Sequence, residues 1–377
     1  MSRPLSSPLQ RVLAPCRPGL HHLQHTARLS PCARTSAAGI ISISKRHQST
    51  AAEDTPELSA LDAASSLLAR FQGKTHSKSQ MLDGNQLQKL SLTLGRREIH
   101  PGINIEARAP RVGTLLPPGY HLVYFTPDGV EQQLGPDGSD VVFNAPKPFT
   151  RRMWAGGRMR WLGEDVALRV GDEAEERTKL VDATPKRSGS GGGEMILVQV
   201  EKQFWGPRGL ALVDERSWIF RREATGPSPE AKKALHDAVI YGPSTMKDEA
   251  QKGAYPLRHL RWSPTGLFRF SALTFNGHKI HYDPTWCATV EGHPASVVHG
   301  PLNLISMLDY WRDRCAAGKR VIREIRYRAV APVYAGETYE IASSAVKEAA
   351  EEDGGLRWEL DVRKDSKTCM TGNILGE

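Results

Sequence analysis

Acidic residues are missing from the first 52 positions of this 377-residue chain, while Arg3, Arg11, Arg17, Arg28, Arg34, Lys45 and Arg46 all fall there. The formal charge of +8 falls to +1 once those seven are set aside, so the remainder lacks the basic footprint of a nucleic-acid-binding protein. Cysteine is scarce as well. Cys16 and Cys32 lie in the basic leader, and Cys287, Cys315 and Cys369 are far apart with no C-x-x-C pair, which argues against a disulfide framework and a zinc site. No apolar run approaches the roughly eighteen residues of a membrane helix. A soluble, reduced, globular protein is expected, with no metal, no cofactor, no nucleic-acid partner and no membrane span.

The leader itself is rich in Arg and Ser, has no secretory-length apolar core and stays free of acid until Glu53. That is the composition of a mitochondrial transit peptide, so residues 1–52 are set apart, with cleavage expected between Arg46 and Ala52 and the mature protein in the mitochondrial matrix. Beyond it, Leu58, Leu61, Ala64, Leu67, Leu68 and Phe71 recur close to helical spacing and predict a helix over 57–72. Asp83, with Gln86 three residues on and Leu87, Leu90 and Leu94 on one face, predicts a second. Short apolar runs broken by Pro-Gly and Asp-Gly turns then predict strands, at His121–Phe125 and more strongly over 194–206 and 209–221. The glycine-rich Ser188–Gly193 has no following Lys-Ser or Lys-Thr and no helix start, so it reads as a strand connection and not a phosphate loop.

Residues 222–258, rich in Pro, Lys, Gly and Asp, read as a linker between residues 53–221 and 259–377, with only a short helical pattern around Pro229 to Tyr241. The last part predicts a strand over Leu267–Leu273, an extended segment carrying Asn276, His278, His281 and Asp283, a helix from Pro301 to Ala316, and strands near 321–331, 337–347 and 356–365. The helix is the best-defined element. Leu304, Met307, Leu308, Trp311 and Cys315 form one apolar stripe, and Gly300-Pro301 suits its start, so free N–H groups there would carry the positive end of the helix dipole.

Two histidines, an amide and a carboxylate within eight residues, followed by Val298-His299-Gly300 at a helix start, point to proton transfer on a carbonyl compound. The pattern resembles the signature of the MaoC-like, or hydratase type 2, family: Gly-Asp-x-Asn-Pro-x-His and, downstream, a His-Gly that opens the central helix. Asn276 stands at the signature's aspartate, His278 at its asparagine, Lys279 at its proline and His281 at its catalytic histidine. Thr274-Phe275-Asn276-Gly277-His278-Lys279-Ile280-His281-Tyr282-Asp283 is similar to the form found in fungal mitochondrial 3-hydroxyacyl-thioester dehydratases and mesaconyl-CoA hydratases. Pro117–His121 and Arg151–Gly157 are similar to segments of that family's degenerate first hot dog.

The resemblance implies an α+β tandem hot-dog fold, a curved antiparallel sheet around a central helix in each half. It implies reversible dehydration of (3R)-3-hydroxyacyl thioesters carried on coenzyme A or acyl carrier protein, by a monomer or homodimer. His281 is the expected proton-transfer residue. Asn276 can only orient water or hydroxyl, because an amide does not titrate. Asp283 would share a face with His281 in an extended segment and either supply the acid or orient the ring. His278, His299 and Gly300 are expected to bind substrate, and Arg151 and Arg152 to meet a phosphate. A hydratase for dicarboxylyl thioesters, a non-catalytic thioester-binding protein and a hot-dog thioesterase remain as alternatives.

Overall fold

The computed structural model describes residues 57–189, 193–223, 241–252, 255–350 and 354–377. The leader, nearly all of the 229–241 helical pattern and Gly191-Gly192 fall outside those ranges. The chain order is α1 (Ala60–Phe71), β1 (Thr75–Met81), α2 (Gly84–Thr93), β2 (Arg151–Trp161), β3 (Glu173–Arg187), β4 (Glu194–Gly206) and β5 (Gly209–Arg221). It continues with β6 (Thr245–Glu249), β7 (Leu257–Arg261), α3 (Pro264–Leu273), α4 (Gly300–Tyr310), β8 (Ile322–Ala329), β9 (Thr338–Glu348), β10 (Leu356–Lys364) and β11 (Lys367–Gly376). The stretch read as a linker therefore supplies an edge strand, β6, and the start of β7.

All eleven strands join in one antiparallel sheet of order β1-β3-β4-β5-β2-β8-β11-β10-β9-β7-β6. Its midpoint is the pairing of Gly156–Arg160 in β2 with Glu324–Arg328 in β8, reinforced by an Arg158–Glu324 ion pair across the seam. Two hot-dog half-sheets are thereby spliced edge to edge, which removes an exposed edge from each.

α4 fills the second half. Nine of its eleven residues, Leu302 to Tyr310, are buried, the pattern of a helix surrounded by protein on every side. The polar Asp309 on it accepts from Tyr120 Oη at 2.9 Å and pairs with Arg312 at 2.8 Å. One turn on, Asp313 takes a two-pronged bond from Arg96 at 2.6 and 2.9 Å, so the helix is tied to the first half by charge as well as packing. In the first half α1 lies against the face of β4 that carries Ile196, Val198 and Val200. Further along that same period-2 face come Lys202 and Phe204, which line the cavity described below.

Two segments expected as strands are helical. Leu267–Leu273 lies in α3, whose start is marked by Ser263, accepting from Gly266 N, and by Pro264 in the first turn. The alternation in Phe268-Arg269-Phe270 imitated a strand, but the Ser-Pro start decides for a helix. His121–Phe125 begins in a 3-10 turn, Tyr120–Val123, entered through Gly119 at φ 85°. α2 matches its expectation: Asp83 Oδ1 accepts from Gln86 N at 2.9 Å, and the Gln86 amide reaches on to Val123 O and Leu273 O.

Because Leu304 is fully buried in α4, Leu304→Ala is expected to cost about 2–5 kcal/mol, read as a lowered urea midpoint with an unchanged slope.

Candidate active site

α3 ends in a Schellman turn, with Asn276 N–H bonded to Ser271 O at 2.9 Å and Phe275 N–H to Ala272 O at 3.2 Å. The position that calls for a left-handed residue is held by Phe275, at φ 48° and 67% exposed, instead of glycine. That strain, on the order of 1 kcal/mol, swings the chain so that Asn276 faces the cavity. Asn276 Oδ1 then accepts from His278 N at 3.0 Å, and Lys279–His281 closes a 3-10 turn. A loop of the first half lies across this turn: Asp137 O accepts from Lys279 N at 2.8 Å, and a Cβ on Gly138 would sit 2.2 Å from Gly277 O. Only glycine permits that crossing.

Three imidazoles meet here. His281 Nδ1 lies 2.8 Å from Val297 O. A carbonyl only accepts, so Nδ1 carries the proton and Nε2 keeps a lone pair. The rings of His281 and His299 stack 3.6 Å apart at 17°, and the His278 ring stands edge-on to His281 at 5.5 Å. His299 Nε2 is 2.9 Å from Ser271 Oγ, while Phe270 presses its edge on the same ring. His278 Nε2 lies 3.3 Å from Asp137. Burial pushes His281 down to about 3, helped by the neighbouring His278, and pushes His278 down to about 3, helped by the Arg152 charge. His299 is driven well below its ordinary value by burial, with His281 adding to it. All three are neutral at pH 7. Cys287 nearby is no nucleophile, since burial raises its thiol to about 12.

Next to His299, Gly300 opens α4, where an α-helix leaves its first N–H groups without intrahelical acceptors. A Cβ on Gly300 would stand 2.2 Å from the ring of Trp154, so the indole can pack this closely on the start of α4 only because residue 300 is glycine. Asn276, His278, His281, His299 and Gly300 all line a cavity of about 1170 Å³. The first half contributes charged pairs to its wall: Lys202 with Glu176 at 2.7 Å, and Arg216, bonded to Asp214 at 2.6 Å.

The remaining expected residues are placed differently. Asp283 is not beside His281. The 3-10 turn replaces the extended segment, and its carboxylate caps the next helical turn by accepting from Trp286 N at 2.9 Å. Arg151 and Arg152 line the cavity, but their guanidinium groups are paired inside the protein, Arg151 with Glu291 at 2.7 Å and Arg152 with Asp140 at 2.7 Å. A phosphate would have to displace those carboxylates. Sequence reading did not find Ser271, Asp137, Trp154 or His293, the last lining the same cavity. Asp137 and Trp154 reach the site from the first half, and Ser271 was hidden by the strand assignment.

Residues 119–335 match the family described as hydroxyacyl-thioester dehydratase type 2. Over 231 residues the chain is 32% identical to mesaconyl-C(4)-CoA hydratase of Chloroflexus aurantiacus, covering 60% of this chain and 74% of that one. It is 24% identical over 282 residues to the mitochondrial hydroxyacyl-thioester dehydratase type 2 of Schizosaccharomyces pombe, covering 68% and 86%. Among solved structures, a MaoC-like dehydratase superposes with a TM-score of 0.56 at 15% identity, covering 82% of this chain and 98% of its own. A MaoC-like dehydratase from Phytophthora capsici superposes at 0.52 and 15% identity, covering 83% and 98%. These two likenesses show the double hot-dog fold.

The buried histidines make stability depend on pH. The unfolded chain takes up protons at these residues below their ordinary 6.5, whereas folded His278 and His281 resist until about 3. Their contribution is complete above 6.5 and is lost as pH falls from there toward about 3, at up to about 1.4 kcal/mol per pH unit for each histidine. Urea unfolding at pH 7 and pH 5 should show this loss, and His278→Gln should make it shallower.

Proposed function

Because the chain belongs to the hydroxyacyl-thioester dehydratase type 2 family, we propose that it is a hydro-lyase that interconverts (3R)-3-hydroxyacyl and trans-2-enoyl thioesters, with His281 as the group that moves the proton. The observation that carries this reading is the fixed tautomer of His281: its Nδ1–H is held by Val297 O, leaving the Nε2 lone pair as the base, next to the α4 N-terminus. In dehydration Nε2 takes a proton from C2, and the negative charge that moves onto the thioester oxygen is met by the Gly300 N–H. As the C3–O bond breaks, the same proton passes from Nε2 to the leaving oxygen, which departs as water and restores neutral His281. Asn276 holds the C3 hydroxyl through its amide, which orients without titrating. His278 faces the same substrate, and Asp283 acts at one remove by capping the turn that follows His281.

The neutral state of His281 suits this cycle, because the base must begin without a proton at pH 7. A cavity of about 1170 Å³ is large enough for an acyl group together with much of a pantetheine arm. The carrier is coenzyme A or acyl carrier protein. The reading includes the mitochondrial matrix and a role in fatty acid synthesis there; the acid-free basic leader supports the compartment, and the fission-yeast relative is a mitochondrial protein. Amino-terminal sequencing from the native source is expected to find a start between Arg46 and Ala52; Met1 or Ser2 would exclude processing there.

A second reading, hydration of a short dicarboxylyl thioester of the mesaconyl-CoA type, is favoured by the cavity wall. Lys202 and Arg216 line the same space as the histidines, and a long alkyl chain packed against them would have to desolvate them. Their carboxylate partners leave the wall neutral in sum, so it is polar without being an open carboxylate receptor.

The test uses the mature protein with crotonyl-CoA, longer trans-2-enoyl-CoA thioesters and mesaconyl-CoA, following loss of the enoyl absorbance. His281→Ala is expected to reduce hydration by about 10²–10⁴-fold. An undiminished rate in that variant removes His281 from the chemistry. Faster turnover of mesaconyl-CoA than of eight-carbon or longer chains would favour the second reading.

A further inference from the structure

His281 has no carboxylate behind it. Its Nδ1 partner is the neutral carbonyl of Val297, and the signature's aspartate is Asn276, so no anion among these contacts offsets the charge that His281 acquires when it takes a proton. What does touch it is the face of His299, 3.6 Å away and nearly parallel. His299 is 1% exposed, and its Nδ1 is buried without a hydrogen-bond partner. The contact His299 makes with His281 is through the flat of its ring. Ser271 holds that flat in place through the 2.9 Å bond to Nε2, from the last turns of α3, and Phe270 of the same helix braces the ring edge-on at 4.9 Å.

We propose that Ser271 and His299 form a positioning pair for His281: they fix the plane of its ring and support its transient positive charge through the face of a neutral imidazole. An aromatic face attracts a cation, and the attraction grows when both are removed from water, as here. The pair does so only while His299 is itself neutral, since two charged rings at stacking distance would repel. The inference rests on His281 as the proton-moving group. It assigns no proton transfer to His299, which acts through its neighbour.

The groups facing His281 are His278 from its own turn, His299 from the start of α4, His293 from the preceding loop and the Val297 carbonyl, with Asp137, Arg152 and Asp140 beyond His278. Two double variants separate the ring face from volume and from the hydrogen bond. Ser271→Ala with His299→Phe keeps an aromatic face and leaves no stranded hydroxyl; Ser271→Ala with His299→Leu keeps apolar bulk without a face. The phenylalanine variant is expected to hold kcat within about threefold of the parent, and the leucine variant to lose about tenfold or more in kcat with KM within about twofold, the scale of a desolvated cation–aromatic contact. The acid limb of the kcat profile should move to lower pH in the leucine variant alone.

Parental kcat in both variants would overturn the proposal, leaving His299 as packing. Equal loss in both, with folding intact by circular dichroism, would also overturn it, because an edge nitrogen of His299 would then be needed. NMR titration of the His281 ring in both variants reads the same effect without substrate. A lower titration point in the leucine variant supports the pair even if no enoyl thioester is turned over, an outcome that would instead remove the proposed reaction.

Discussion

The five-residue pairing of β2 with β8 is the constraint on which the site depends. It splices two half-sheets into one and thereby carries loops of the first half over chemistry that belongs to the second. Trp154 stands just before the paired stretch, at an irregularity where Trp154 opposes Trp218 and Gly156 opposes Ser217, and this is what lays its ring on Gly300. Asp137 and Gly138 reach the histidine turn from the same side. The first-half loop over the turn adds to the burial that keeps His278 and His281 from titrating as ordinary imidazoles.

Burial is therefore as much a part of the site as any side chain. A carboxylate in place of Asn276 would sit beside three histidines in a poorly solvated turn, and its charge would raise their proton affinity. The amide adds no such charge, and the hydrogen bond that His281 Nδ1–H donates to Val297 O selects the tautomer of His281. The departure from the family signature is in this sense consistent across the site: no charge at 276, a neutral carbonyl behind 281, and an aromatic ring on the face of 281. Further charged pairs stand on the first-half wall of the cavity and around Asp309 and Asp313 on α4, where they join the two halves.

Local signals were legible where they were strong and repeated. The apolar stripe of α4, the Asp83 cap of α2 and the long runs of β4 and β5 each specify their element through contacts within a few residues. Leu267–Leu273 failed as a strand because a short apolar run suits a strand or a buried helix equally, and the deciding feature, Ser263-Pro264, lies just outside it. β6 was passed over because Thr245–Glu249 has almost no apolar residue, being an edge strand held by its ladder to β7. The Asp283 geometry failed with it, since a 3-10 turn and an extended segment place the second residue after His281 in different directions.

Sequence alone determined the residue types available for chemistry and their order: His278 and His281 in one turn, His299-Gly300 at a helix start, an amide at 276, and a basic leader without acid. These are local in the chain, and spacing reveals them. Only the tertiary structure decided that His299 stacks on His281, that Ser271 holds it, that Trp154 covers Gly300, that Arg151 and Arg152 are already paired, and that the histidines are neutral. Each of these rests on a distance between residues well apart in the chain, or on exclusion of water by both halves together, and neither quantity is carried by the spacing of residues along a sequence.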